Sequence, residues 1–400
     1  MRKIFLIIFM LQSITICSQD INKIDSLIIN SIELNAFPGA QVYIQKGDFT
    51  FFNSYGFHTY DSIRKVEDDH LYDLASLTKV FASTLAIMKL YDQNKIKLDN
   101  LVSFFINKLK RSNKKNTNIH ELLIHQSGWE PYINHQKFLL KKNGVLKSRF
   151  ISNYSGKNKK SITDKIFIKS SYYNKILKRI VKAKVNQIGD YKYSGLFFCL
   201  VPEIVEIISK ESFENYLNKN FYSKINVNLL FNPKDNFSLN KIVPTELDTL
   251  FRKELIHGYV HDETAAIMGG ISGNAGLFGS AKDIGKISNF FLQKGLHKNE
   301  QIVKENIITY FTNPGNYKNE TDIRGLGFDK PRLLSNGIKY PNDKLSDFSF
   351  GHTGFTGTFF WVDPEKKLIV VLLTNRVYPS RVNEKIYDLD IRKSLIDLII

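Results

Sequence analysis

Cysteine is nearly absent: two in 400 residues, Cys17 and Cys199. That excludes a disulfide-built scaffold, and no Cys-x-x-Cys pair signals structural zinc. Proline is sparse, at ten residues, and no Pro/Gly-rich linker divides the chain. No period of 20–50 residues recurs, which excludes solenoids and propellers. Beyond the N-terminus no apolar run reaches the length needed to span a bilayer. Acids are also short, 39 against 56 Lys and Arg, for a net charge of +17. The deficit concentrates in residues 137–190, which hold 15 Lys/Arg and two acids, Asp164 and Asp190, a net of +13. No nucleic-acid module accompanies this basic stretch, so nucleic acid is not an expected partner. A solvated basic face or attraction to an anionic envelope polymer fits it better.

What is present is ordinary globular composition, 43% hydrophobic and 24% charged, enough to bury a sizeable core. Met1-Arg2-Lys3 precedes an unbroken apolar run from Ile4 to Leu11. This reads as a secretory signal peptide over residues 1–18, leaving a single domain over 19–400 and an exported, periplasmic or secreted product. Cys17 is a weaker candidate for lipoprotein anchoring, because Ile16 before it is bulky.

Residues 20–35 carry apolar positions every three or four residues and predict an amphipathic helix. Gly39–Gln45 and Phe49–Phe52 flank Lys46-Gly47-Asp48 and predict a hairpin. Gly357–Val362 and Leu368–Leu373 predict a second hairpin, apolar on both sides of its turn. A closing helix is expected over about 382–400. The pattern is α+β: an antiparallel sheet from both chain ends (about 19–75 and 266–400) with a mostly helical part (about 76–265) inserted.

Acyl transfer by serine needs a nucleophile, a group to take its proton and donors for an oxyanion. Ser-x-x-Lys on a helix brings the first two onto one face. Four serines match, Ser62, Ser76, Ser112 and Ser238. Only Ser76, in Asp73-Leu74-Ala75-Ser76-Leu77-Thr78-Lys79, opens a strongly apolar helix. Without other support it would read as an N-cap. Tyr191-Lys192-Tyr193-Ser194-Gly195 and Gly351-His352-Thr353-Gly354-Phe355 supply that support. With Ser76-Leu77-Thr78-Lys79 they resemble, in order and spacing, the three motifs of the serine β-lactamase and penicillin-binding-protein superfamily. The resemblance is to the class C β-lactamase and D,D-peptidase-like esterase branch. Glu121–Gly128 and the Gly-rich Gly269–Ser280 stretch are similar to connecting segments of that family.

The resemblance implies a β-lactamase/D,D-peptidase-like fold and a serine hydrolase. Ser76 would be acylated and Lys79 would activate it. Tyr193, rather than Tyr191, would relay the proton. His352, if charged, would polarise Tyr193 and contact a substrate carboxylate beside Thr353 and Gly354. The N–H groups of Ser76 and Phe355 would bind the oxyanion. Gly195 stands where the second motif has Asn, which argues for esterase, amidase or peptidase action over efficient β-lactam hydrolysis. A catalytically idle relative that binds cell-wall peptides or acyl ligands is the competing reading. His257 and His261 have His-x3-His spacing, but no third ligand is identifiable, so no metal or other cofactor is expected. The Gly269–Ser280 stretch lacks the Gly-Lys-Ser/Thr ending of a phosphate loop.

Overall fold

The computed structural model describes residues 18–313, 323–334 and 337–400. The expected leader and Cys17 lie outside the described residues. Helix α1 (Ser18–Glu33) leads into strands β1 (Gly39–Lys46) and β2 (Phe49–Gly56). The C-terminal part supplies β3 (Phe350–Thr353), β4 (Phe359–Asp363) and β5 (Leu368–Thr374). The five strands pair in the order β3-β4-β5-β1-β2, all antiparallel. Both chain ends therefore build one sheet, joined where Ala40 faces Thr374 and Lys46 faces Leu368.

The unbroken apolar run of β5 has a simple cause: both sheet faces are covered. Successive strand side chains point to opposite faces. Leu368, Val370 and Leu372 pack with Ile24 and Ile28 of α1 and with Leu395 and Ile396 of the closing helix. Ile369, Val371 and Leu373 pack with Ile284, Ile287 and Phe291, from the helix Ala281–Leu292. The closing helix is in two pieces, Lys385–Asp388 and Ile391–Ile399. They are separated at Asp390, whose φ of 47° lies in the left-handed region and cannot continue a right-handed helix.

A small sheet of Tyr72–Asp73, Leu277–Gly279 and Leu230–Phe231 ties the inserted part to the rest. The helix after Ser76 runs through a π-helical turn, Lys79–Thr84, into Leu85–Asp92. Val80 to Met88 and Leu90 are buried, so this helix is covered on all sides and its apolar residues belong to the main core. The basic segment departs from the mostly helical expectation. It holds a three-stranded sheet of Ile151–Ser152, Lys159–Ser161 and Phe167–Lys169, and one helix, Tyr173–Lys182. Only that helix has the recurring apolar positions, Ile176, Leu177 and Ile180, that bury one face. Among the described residues no helix is long and apolar enough to cross a membrane.

Candidate active site

Ser76 sits on the turn that opens the central helix, held from both sides. Ala75 before it takes φ 46°, an uncommon conformation for a residue with a Cβ. The buried Asp73 carboxylate fixes the turn by accepting from the Ala75 N–H at 2.8 Å and the His261 N–H at 2.6 Å. Thr356 and Thr358, beside β4, donate their hydroxyls to the carbonyls of Asp73 and Leu74 at 2.8 and 3.0 Å. Gly354 must be glycine here: a Cβ would lie 2.0 Å from Thr358 Oγ1 and 2.7 Å from Leu74 O. The third-motif loop thus presses directly onto the nucleophile turn.

One helical turn on, Lys79 Nζ donates to Ser76 Oγ at 2.9 Å and to Asn274 O at 2.9 Å. The same ammonium lies 5.3 Å from the Tyr193 ring centroid. Ser76, Lys79 and Tyr193 line one cleft of about 690 Å³, with Gly195, Asn274 and Phe355 among its other walls. Among the described residues, the Ser76 and Phe355 backbone N–H groups and the Tyr193 hydroxyl have no hydrogen-bond partner in the protein. These polar groups are left over after the fold has satisfied its own needs.

The structure separates the two motif tyrosines. The Tyr191 hydroxyl accepts from Arg324 Nη1 at 3.1 Å, and Arg324 in turn pairs with Asp329. Burial raises the Tyr191 phenol above its ordinary value, partly offset by Arg324. Tyr193 is positioned instead by His125. That ring lies 4.6 Å from the Tyr193 ring, and its Nδ1 accepts from the Ser194 N–H at 3.1 Å. The tyrosine loop is pinned to the 125–131 turn by Lys192 N–H to His125 O, Ser194 Oγ to Glu130 O and Gly195 N–H to Pro131 O.

His352 departs from expectation. It lies on the edge strand β3, but it is 2% exposed and does not line the cleft. Burial pulls its pKa down to about 4, although Asp329 works in the opposite direction. Nδ1 lies 2.7 Å from Thr353 O, so in the neutral ring Nδ1 carries the proton and donates it. Nε2 is buried without a partner among the described residues. The ring is therefore neutral and set 6.1 Å from Tyr193, a dielectric neighbour rather than a cation facing substrate. The cause is packing: β3 is paired on one side by β4 and bridged through Gly351 to Asp329 on the other.

Sequence reasoning missed the side chains around Phe355, the expected oxyanion donor. The Phe355 ring is 46% exposed and is flanked by the His261 ring at 5.6 Å and the Arg376 guanidinium at 4.8 Å. His261 Nε2 lies 2.8 Å from Glu246, which also binds Arg381. Burial raises the Glu246 pKa, but His261 and Arg381 outweigh it and hold the carboxylate at about 2. The two histidines of the His-x3-His spacing do not converge. His257 Nε2 contacts the carbonyls of Leu239 and Ile242 instead.

A serine beside a lysine, a free phenol and two unspent backbone donors are the groups that serine acyl transfer requires. The chain belongs to the Beta-lactamase family, whose model matches residues 24–393, and so to the serine β-lactamase and penicillin-binding-protein superfamily. It is a hydrolase of that family. A candidate D-alanyl-D-alanine carboxypeptidase of Salmonella typhimurium is 27% identical over 404 residues, covering 92% of this chain and 85% of that protein. The octameric penicillin-binding protein homologue from Pyrococcus abyssi superposes with a TM-score of 0.65 at 22% identity, covering 92% of this chain and 76% of that one. A class C beta lactamase superposes with a TM-score of 0.68 at 17% identity, covering 96% and 97%.

Proposed function

We propose that this protein is an exported serine hydrolase that works through a Ser76 acyl-enzyme on D-amino-acid peptide, amide or ester substrates, in the manner of a D,D-carboxypeptidase. The observation that carries the reading is the 2.9 Å contact of Lys79 Nζ with Ser76 Oγ inside the cleft. Export rests on the leader pattern of residues 1–18, and the relative's name supports the substrate class. Ser76 Oγ attacks the substrate carbonyl and a C–O bond forms. The serine proton passes to the Tyr193 oxygen as Tyr193 gives its own proton to the leaving group, and the scissile bond breaks. The Lys79 ammonium holds Ser76 Oγ and stabilises developing negative charge on it. The Ser76 and Phe355 N–H groups bind the tetrahedral oxyanion, a term worth about 3 kcal/mol per donor in other enzymes. Water then attacks the acyl carbon, its proton returns to Ser76 Oγ, and the acid leaves.

Incubation with a fluorophosphonate and, separately, a penicillin tests this by intact mass. One adduct per chain, absent in a folded Ser76→Ala variant, supports the acyl-enzyme. A wild-type protein that binds cell-wall peptide yet stays unmodified by either probe supports the idle relative.

A further inference from the structure

The acyl-transfer steps use nothing from the basic segment, although it holds most of the chain's excess charge. Residues 137–190 carry 15 Lys/Arg and two acids, while the other 346 residues carry 41 Lys/Arg against 37 acids. The excess is therefore local rather than a bias of the whole chain, and the fold does not neutralise it. Among the described residues, Lys165 is the one cation of the 15 that pairs with an acid, Glu254 at 4.0 Å. Asp164 is taken by Lys234, from outside the segment. Part of the unpaired charge forms a stripe. Lys175, Lys178 and Lys182 are exposed and share one face of the helix Tyr173–Lys182, opposite the buried Ile176, Leu177 and Ile180. The exposed Lys108 continues the stripe on a neighbouring turn, its Nζ donating to Asn174 Oδ1 at 2.6 Å. Like charges three and four residues apart repel and weaken a helix, a cost that a bound polyanion reverses.

The stripe connects to the cleft. Arg179, on the same helix, stacks on Phe138 with its guanidinium 4.0 Å from the ring centroid. Gln136, Lys137 and Leu140, on either side of Phe138, line the cleft that holds Ser76. Lys147 Nζ reaches the same turn, donating to Phe138 O at 3.0 Å. A basic surface thus runs from the helix to the cleft mouth. Two features fit a polymer strand better than a lipid bilayer. A strand can enter a cleft of about 690 Å³, which a flat surface cannot. The exposed rings of Phe138 and Tyr154 each hold a cation against one face, Arg179 and Lys159, so they present charge together with apolar area. Thirteen of the 15 cations are lysine, a compact point charge without arginine's bidentate fork. Such a surface reads the sign and spacing of charge rather than the shape of one anion, which suits a flexible chain with a carboxylate on each repeat.

We infer that the basic segment is a docking surface for an extended anionic polymer with repeated carboxylates, and that it leads one end of that polymer into the cleft. The inference rests on the acyl-enzyme reading above and adds that the reacting acyl group is borne by such a polymer.

Two probes separate docking from turnover. Fluorescein-labelled poly-L-glutamate reads docking by anisotropy, with no reaction involved. Poly-L-glutamate ending in D-alanine p-nitrophenyl ester, compared with N-acetyl-D-alanine p-nitrophenyl ester, reads delivery to Ser76. The wild type should bind the labelled polymer and release it as salt rises. At low salt it should turn over the polymer ester with a kcat/KM about tenfold or more above that of the small ester. The triple variant Lys175→Glu, Lys178→Glu, Lys182→Glu should lose about tenfold in polymer binding and most of that preference. Its kcat/KM on the small ester should stay unchanged, which also shows an intact fold. The same three positions changed to Gln should move in the same direction by less, and decide the matter if the charge reversal does not fold. Polymer binding that is absent in the wild type or unchanged in both variants overturns the inference, as does preferential binding to phosphatidylglycerol vesicles. Docking without a preference for the polymer ester overturns delivery into the cleft. A wild type that turns over neither ester contradicts the hydrolase reading, while the anisotropy still decides docking.

Discussion

Tyr191 and Tyr193 stand two residues apart in one loop, yet they occupy opposite chemical situations. The Tyr191 hydroxyl is spent on the fold: it accepts from Arg324, which also pairs with Asp329. Around Tyr193 the groups are held in place but not consumed. Lys79 is anchored by Asn274, His125 backs the ring, and the phenol faces the cleft with Ser76. Side chains of the same type are bonded into the fold on one side and left open to the cleft on the other. What separates them is whether the phenol itself has an internal partner.

The largest expected effect that sharpens this contrast is Ser76→Ala. Loss of the nucleophile should cost on the order of 10⁵–10⁶ in kcat with the melting temperature nearly unchanged. Tyr193→Phe comes next, at about 10²–10⁴ in kcat/KM, while Tyr191→Phe should change the rate far less. Steady-state kinetics on one activated ester compares the pair, and equal losses would erase the distinction drawn between them.

On the structural side, Arg324→Met should destabilise the protein by about 3 kcal/mol, because it leaves the Asp329 carboxylate without its partner. Denaturant unfolding measures that, and a rate loss without a stability loss would move Arg324 into the reacting group. The smallest effect is the pH dependence from His352. Its folded pKa lies below that of the unfolded chain, so the unfolded state binds the extra proton first. Stability from this residue is complete above about pH 6.5 and is lost as pH falls toward about 4. His352→Asn keeps a donor for Thr353 O without a titrating proton, and should flatten that part of the stability profile. The wild-type kcat/KM should show no limb from His352 between pH 5 and 9, which replaces the expectation of a charged third-motif histidine. A falling limb across that range that vanishes in His352→Asn would contradict the neutral ring.

Much of this was legible in the chain. The unbroken apolar run Leu368–Leu373 and the run Gly39–Gln45 read as strands, and because strand side chains alternate between faces, an unbroken run fits a sheet covered on both faces. The Ser76/Lys79 pairing is equally local, since i and i+3 share a helix face. The resemblance of Tyr193-Ser194-Gly195 to the family's second motif pointed to Tyr193, whose hydroxyl has no partner among the described residues. Charge on His352 was not legible, because it depends on burial contributed by Asp329 and β4 rather than on neighbours in sequence. His125 and Asn274 were hidden for a related reason: each acts across a long loop closure that no local period encodes. Within the part expected to be mostly helical, about 76–265, residues 137–190 hold a single α-helix, because only Tyr173–Lys182 has the recurring apolar positions that bury one face.

The acyl-enzyme itself is the central claim, and site mapping tests it most directly. The protein is mixed with excess p-nitrophenyl ester, quenched in acid within the first turnover and digested with trypsin. Cleavage after Lys65 and Lys79 releases Val66–Lys79, in which Ser76 is the one serine. The account predicts an acyl mass increment on that peptide, located at Ser76 by fragmentation and absent in Ser76→Ala. An increment on the peptides carrying Ser62, Ser112 or Ser238, or a p-nitrophenol burst that leaves Val66–Lys79 unmodified, would contradict it.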